Sequence, residues 1–351
     1  MKDDLSIERK RGFMINNEDF RKAVELISSS QKILLTTHIK PDGDACGSVV
    51  ALLEVLRCLS KQAEAVFLSP VPKWYRFLLD EEPVVLDKQA DIETLIAETI
   101  GDFDLAIVVD ANSENQLPGI SGFLKRQNKP VLIIDHHTTS DGLGTVEVVE
   151  SCAAATGMII QDLFRFADWF MTARTAEALF VAIATDTGWF QFNNTDGCVH
   201  RSCAELIEAG ANPAKIYDRL YHNFTYERFK LRLTMLNRLE LYFERHLAIQ
   251  YLLRDDFEQT GAAYEDTENF INDCHSISTV KASALLVELS DGRIRCSLRS
   301  RGPDAIDVSK IAELFGGGGH MMAAGTYLPA PMEKAKQLIL EQFGKYEEKL
   351  R

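Results

Sequence analysis

Three consecutive residues, Asp135-His136-His137, place a carboxylate and two imidazoles at the end of an apolar run, Val131-Leu132-Ile133-Ile134. The run reads as a buried strand of a parallel sheet. The C-terminal ends of such strands are where open α/β sheets place their chemistry. A strand-end Asp-His-His also occurs as plain structure, so its weight comes from its company. His38-Ile39-Lys40-Pro41-Asp42-Gly43-Asp44 follows a second apolar run, residues 33–37. Pro41 and Gly43 force a turn there that can swing Asp42 and Asp44 back toward His38. Asp110 ends a third run, residues 105–109, and Asp186 ends a helical stretch over residues 175–183. Any one of these acids fits a turn former or a helix cap. All of them at element ends of one predicted sheet fit a single crevice.

Carboxylate oxygens mixed with imidazole nitrogens suit divalent ions of the Mn²⁺ type, with Mg²⁺ or Co²⁺ as substitutes. The number of acids suits two ions, with one carboxylate, such as Asp110, bridging them. Two ions about 3.5–4 Å apart clamp both the attacking and the leaving oxygen of a phosphoryl transfer.

These residues need a scaffold, and the rest of the chain describes one. Residues 33–37, 65–68, 105–109 and 131–134 read as strands, and 47–59, 156–170, 175–184 and 198–209 as helices. Strands alternating with helices imply a doubly wound parallel sheet. Residues 211–245 are helical and charge-rich and read as a connector, or as a helix packed on one domain. A smaller α/β domain follows over 246–351. It begins with a strand near residue 247. Asp291-Gly292 between two β-like runs signals a hairpin. In Arg293-Ile294-Arg295-Cys296-Ser297-Leu298-Arg299 alternate residues share a face. Arg295, Ser297 and Arg299 line one side, which fits a solvated face or a phosphate-binding one. The neighbouring Gly316-Gly317-Gly318-Gly319-His320 favours the second: glycine N–H groups can converge on an anion, the more so if Ala323-Ala324 starts a helix.

At 351 residues the chain exceeds one comfortable core, and its 46% hydrophobic and 26% charged content is that of an ordinary globular protein. No apolar stretch reaches membrane-spanning length and no signal peptide opens the chain, so a cytoplasmic enzyme without a membrane partner is expected. The seven scattered cysteines read as reduced. The net charge of −14 argues against long nucleic acid as a partner, which basic surfaces hold by counterion release.

With these motifs in order, the chain resembles the DHH phosphoesterase superfamily, in the branch that adds a C-terminal DHHA1 domain, and within it the NrnA-like group. His38-x-x-x-Asp42-x-Asp44, Asp110, Asp135-His136-His137 and Asp186 resemble the four DHH motifs. Ser297-Leu298-Arg299-Ser300 with the glycine run resembles the DHHA1 signature. The resemblance implies a DHH domain over residues 18–210 after an N-terminal extension over 1–17. It implies one Mn²⁺ on His38, Asp42 and Asp110 and another on Asp44, Asp110, His136 and Asp186. A hydroxide between the ions would attack phosphorus. Asp135 would fix a histidine ring, and His137 would face the scissile phosphate or leaving oxygen. Arg299, Ser300, Gly317, Gly318, Gly319 and His320 would grip a substrate phosphate. The substrates implied are nano-RNA, dinucleotides such as pGpG, and 3′-phosphoadenosine 5′-phosphate (pAp). A homodimer is compatible with all of this. The alternatives are a cyclic-dinucleotide phosphodiesterase, an exopolyphosphatase, and, outside hydrolases, a non-catalytic nucleotide- or RNA-binding module. The intact ligand set weighs against the last. Lys40 stands near the metal motif without a ligand role.

Overall fold

The computed structural model describes residues 17–86, 91–302 and 304–350. The expected N-terminal extension therefore lies outside the described residues, apart from Asn17. The chain divides into two compact units at Asn223–Phe224.

The first unit contains α1 (Asn17–Ser29), β1 (Lys32–Thr37), α2 (Gly43–Cys58), β2 (Gln62–Phe67), β3 (Val84–Val85), α3 (Ile92–Thr99), β4 (Leu105–Val109) and α4 (Ile120–Gln127). It continues with β5 (Val131–Asp135), β6 (Val146–Val149), α5 (Thr156–Phe166), α6 (Ala173–Asp186), α7 (Gly197–Glu208) and α8 (Pro213–Tyr221). Its strands form one parallel sheet in the order β3-β2-β1-β4-β5-β6. Alternate residues of β1 face opposite layers. Ile33 and Leu35 pack with α2, α5 and α6, whereas Leu34 packs with Ile96 of α3 and Phe123 of α4. Helices on both faces explain why β4 and β5 are apolar and buried throughout. This is the doubly wound sheet read from the sequence.

The strand order reverses between β1 and β4. At such a switch point the two flanking crossovers diverge, leaving a crevice beyond the strand ends. Thr37 pairs with Val109 and Val109 with Ile134, so His38, Asp110 and Asp135 emerge side by side there.

Helix α2 begins four residues before the expected start at Gly47, because Asp42 caps it by accepting the Ala45 N–H at 3.1 Å. The helix start fits against α6 because glycines stand at the points of contact. A methyl group at Gly43 would lie 2.2 Å from the Thr185 hydroxyl, and one at Gly47 would lie 2.3 Å from the Ala178 carbonyl oxygen. The close approach of α2 to α6 brings Asp44 toward Asp186.

The second unit holds α9 (Tyr226–Asn237), β7 (Glu240–Tyr242), β8 (Leu247–Leu252), α10 (Arg254–Thr260), β9 (Ala282–Glu288), β10 (Ile294–Ser300) and α11 (Val308–Glu313). After these come β11 (Gly318–His320), β12 (Ala323–Leu328), α12 (Met332–Gly344) and α13 (Glu347–Leu350). The sheet order is β11-β12-β10-β9-β8-β7, antiparallel except between β8 and β9. Strand β10 alternates as expected: Cys296 and Leu298 are buried, and Arg295, Ser297 and Arg299 are half-buried on the other face. The Arg293 N–H donates to the Asp291 carboxylate across the predicted hairpin.

Two expectations change here. The stretch read as a connector, residues 211–245, is divided: α8 buries Ile216 and Leu220 in the first core, and α9 buries Leu231 and Met235 in the second. Ala323-Ala324 also does not start a helix but opens β12, which pairs with β11. The glycines are there for close contact. A methyl at Gly317 would sit 2.3 Å from the Gly325 oxygen, and one at Gly319 would sit 2.4 Å from the Ala323 oxygen. Alanine favours helix locally, but pairing to β10 on one side and β11 on the other overrides that preference.

Candidate metal centre

The strand ends deliver the donors, and their order along the sheet sets the geometry. His38, just past β1, points Nε2 toward Asp110 at 3.4 Å and toward Asp42 at 3.9 Å. His136, just past β5, has Nε2 3.6 Å from Asp110, 3.7 Å from Asp186 and 3.9 Å from Asp44. Asp110 faces both histidines with different oxygens, Oδ2 to His38 and Oδ1 to His136. Three sets of donor atoms lie within 4.8 Å of one another: His38-Asp42-Asp110, Asp44-His136-Asp186 and Asp110-His136-His137. The six residues read as metal ligands are thus brought together, and the geometry adds His137 to one set.

Each ring is held from behind. His136 Nδ1 is 3.1 Å from the Ala153 carbonyl and His38 Nδ1 is 3.0 Å from the Ile39 carbonyl. A carbonyl only accepts, so both Nδ1 atoms carry a proton, and Nε2 is the atom each ring turns toward the acids and would offer to a metal in their place. The buried Asp135 accepts from His137 Nδ1 at 2.7 Å and from the His136 backbone N–H at 2.8 Å. One oxygen of Asp135 thus orients both residues that follow it.

The acids are held just as firmly. Asp44 accepts the Thr156 and Gly157 backbone N–H groups, at 2.6 and 2.9 Å, and the Ser48 hydroxyl at 3.2 Å. Thr156 and Gly157 open α5, so the helix N-terminus supports this charge. The Thr156 hydroxyl donates to Asp110 at 3.0 Å. Asp110 has a φ of 59°, a left-handed conformation uncommon for a side-chain-bearing residue. Its N–H donates to the Ile134 carbonyl, so sheet pairing holds the turned backbone that points the carboxylate into the crevice.

Electrostatically the cluster holds more acids than the two raised histidines can balance. Burial, then the neighbouring charges of Asp110 and Asp186, push the Asp44 carboxyl well above its ordinary range. Burial and Asp110 push Asp186 up to about 8. Burial opposes charge on His38, but its contacts with Asp110 and Asp42 outweigh burial and raise it to about 11. The bond to Asp135 raises His137 to about 9. Without metal, protons partly neutralise this buried negative charge. Divalent cations fit the same need better, because the oxygen and nitrogen donors are already aimed inward.

The expected substrate residues lie in the second unit. The Arg299 side chain makes one hydrogen bond among the described residues, to the Leu298 carbonyl, and burial lowers its affinity for the proton. The Ser300 hydroxyl is committed inside, donating to the Ile306 carbonyl at 2.6 Å. The Gly317 N–H closes the end of α11 on the Ala312 carbonyl. Gly318 and Gly319 lie in β11, and a methyl at Gly318 would meet nothing within 4 Å. His320 ends β11, and its side chain lies outside the described residues.

The model of the DHH family N-terminal domain matches residues 32–185, and that of the DHHA1 domain matches residues 245–349. A Thermus thermophilus protein named bifunctional oligoribonuclease and PAP phosphatase NrnA is 31% identical over 331 residues, 92% of this chain and 93% of that protein. The chain belongs to the DHH family. A Bacillus subtilis DHH relative of the same name is 26% identical over 311 residues, covering 86% of this chain and 91% of its own. An exopolyphosphatase-related protein from Bacteroides fragilis has the same fold, with a TM-score of 0.89 at 24% identity over 96% of this chain and 98% of that one. The DHH match takes in every candidate ligand except Asp186, one residue beyond it. Arg299 and the glycine run fall within the DHHA1 match.

Sequence reading passed over three residues that brace this DHH centre: Ala153, Thr156 and Gly157. Their signal was present in Ala153-Ala154-Ala155-Thr156-Gly157, small residues running straight into a helix. Without the fold, nothing connected that helix start to Asp44, more than a hundred residues earlier.

Proposed function

We propose that this protein is a two-ion phosphoesterase that hydrolyses short oligonucleotides to mononucleotides and pAp to AMP. The observation that carries the reading is the double use of Asp110, which belongs both to the His38-Asp42 set and to the His136-His137 set. A carboxylate shared in this way fits two adjacent ions. His38, Asp42 and Asp110 would hold one, and Asp44, Asp110, His136 and Asp186 the other. Their mix of oxygen and nitrogen donors suits Mn²⁺, with Mg²⁺ and Co²⁺ as substitutes. When bound, such a pair lowers the pKa of a water nucleophile and neutralises charge on the phosphoryl oxygens.

The chain's own residues supply the rest. Asp135 fixes the His137 ring through Nδ1, leaving Nε2 to meet the scissile phosphate or the leaving oxygen. Thr156 and the α5 N-terminus keep Asp110 and Asp44 in place as charge accumulates. In the second unit, Arg299 offers a fork of donors to a non-reacting phosphate. His320 and the N–H groups of Gly318 and Gly319 are further donors in that role. The names of the Thermus and Bacillus relatives support short nucleotides as substrates. Among the described residues no helix is long and apolar enough to cross a membrane. We place the enzyme in the cytoplasm, and a homodimer is compatible with the reading.

The test is nucleotide and phosphate release with Mn²⁺ on a panel: a 5′-phosphorylated dinucleotide, longer oligonucleotides, pAp, a cyclic dinucleotide and polyphosphate. Preference for the dinucleotide and pAp supports the proposal. Preference for the cyclic dinucleotide or polyphosphate overturns the substrate and leaves the metal centre standing.

A further inference from the structure

One cation in the second unit is not used by the function as described so far. Arg295 lies on the same face of β10 as Arg299, and among the described residues its guanidinium makes no hydrogen bond and no ion pair. It is nevertheless held in place. The Tyr327 ring, on the paired position of β12, lies 5.1 Å from the guanidinium carbon. A methyl group at Gly325 would sit 2.9 Å from the Arg295 Nη2. Gly325 pairs with Ser297, not with Arg295, so the side chain leans back along the strand toward Arg299. Glycine at 325 leaves the space in which the guanidinium rests.

The pairing across β10, β12 and β11 forms rows. Arg299, Ala323 and His320 make one row, and Ser297, Gly325 and Gly318 make the next. The Arg295 head rests over that second row. Adjacent same-face rows are about 6.8 Å apart along an antiparallel strand. That spacing is comparable to one nucleotide step of an extended chain. Electrostatically, Glu268 acts on Arg299, and Arg295 acts on the half-exposed Tyr264. Among the described residues, neither arginine has an acid in contact.

We propose that Arg295 is a second phosphate-binding position, one nucleotide step along the strand from the phosphate at Arg299, and that it favours oligonucleotides longer than two residues. This rests on the reading that the chain hydrolyses short oligonucleotides with Arg299 on a non-reacting phosphate. A dinucleotide carrying a 5′-phosphate, or pAp, has one reacting and one non-reacting phosphate and engages Arg299 alone. A 5′-phosphorylated trinucleotide has a further phosphate, which engages Arg295.

The experiment compares kcat/KM for a 5′-phosphorylated trinucleotide with kcat/KM for pAp, in the full-length Mn²⁺-loaded protein and in Arg295→Ala, Arg295→Lys and Tyr327→Leu. A charge-assisted hydrogen bond to phosphate is worth about 1.5 kcal/mol or more, so Arg295→Ala should lower the trinucleotide-to-pAp ratio about tenfold, through KM. Lysine should restore part of the loss. Tyr327→Leu, which keeps the charge but frees the side chain, should fall between wild type and alanine. An unchanged ratio in Arg295→Ala, with melting temperature unaltered, overturns the proposal. A loss confined to kcat, or equal for both substrates, overturns it too. If the wild-type protein cleaves neither substrate, it is the underlying reading of function that fails.

Discussion

Replacing Asp110 by asparagine alters the centre with very little change of shape. The side chain is buried, and its Oδ1 accepts from Thr156, a role the amide oxygen can keep. What disappears is one negative charge that both donor sets share. At a separation near 4 Å and an effective dielectric of 20, a pair of unit charges interacts by about 4 kcal/mol. Each bound cation carries two charges, so the loss per site is at least that much, about three or more powers of ten in affinity. The metal-free protein should respond in the opposite sense. Burial is the main reason the Asp44 and Asp186 carboxyls titrate high, but the charge of Asp110 is the next cause for both. Removing that charge relieves repulsion at the cost of the His38 contact, and because burial leaves Asp110 itself raised despite that contact, metal-free Asp110→Asn should melt no lower than the metal-free wild type. Calorimetric titration with Mn²⁺, melting curves with and without chelator, and dinucleotide turnover measure all three quantities. A variant that binds both ions and turns over within tenfold of wild type would refute the shared-carboxylate argument. So would a metal-free variant several degrees less stable.

Four further outcomes follow from the same contacts. Asp135→Asn can keep an oxygen acceptor but removes the negative charge beside His137, and it should lower the pKa of that ring from about 9 toward the ordinary histidine value, with kcat falling about 10- to 100-fold; NMR titration of the ring and steady-state kinetics check it, and unchanged kcat would remove His137 from the reaction. Thr156→Val takes the hydroxyl from Asp110 and should weaken turnover by about tenfold, corresponding to about 1–2 kcal/mol; kcat/KM at saturating metal reads it. Gly317→Ala forces a methyl against the Gly325 oxygen and should destabilise the second unit by about 1–3 kcal/mol while leaving Mn²⁺ stoichiometry unchanged; denaturant melts and metal titration separate the two effects.

The fourth concerns pH in the metal-free protein. A carboxyl raised on folding binds more protons folded than unfolded, so Asp186 contributes stability below about pH 4 that is lost as pH rises toward 8. His137, also raised, contributes stability below about pH 6.5 that is lost as pH rises through 9. Chelated protein should therefore lose stability steadily from pH 5 to 9. Mn²⁺ should cancel that loss and release protons on binding, which melting curves and titrations in two buffers can record.

Much of this was legible from sequence because each candidate ligand stands at the end of a strongly patterned element. The buried runs before His38, Asp110 and Asp135 marked their strands, and the doubly wound reading placed their ends together. Asp186 was found because a clear helix ends on it. What could not be read was set by contacts between distant segments. The α5 amides that hold Asp44 are invisible until that helix is docked. Ser300 looked available beside Arg299 until its hydroxyl turned inward to Ile306. Ala323-Ala324 suggested helix by propensity, and only the pairing of β12 between β10 and β11 decides for strand. Arg295 alternates with the core like any solvated arginine, and its restraint by Tyr327 and Gly325 depends on the register of two strands.

The proposed function requires one centre that holds two divalent ions and cleaves short phosphodiesters. Its most direct test is hydrolysis of a 5′-phosphorylated dinucleotide by metal-stripped protein as Mn²⁺ is added back. Turnover should be absent in chelator and should rise to saturation as two ions bind per chain. Turnover that persists in chelator, or that saturates with a single ion bound, would contradict it.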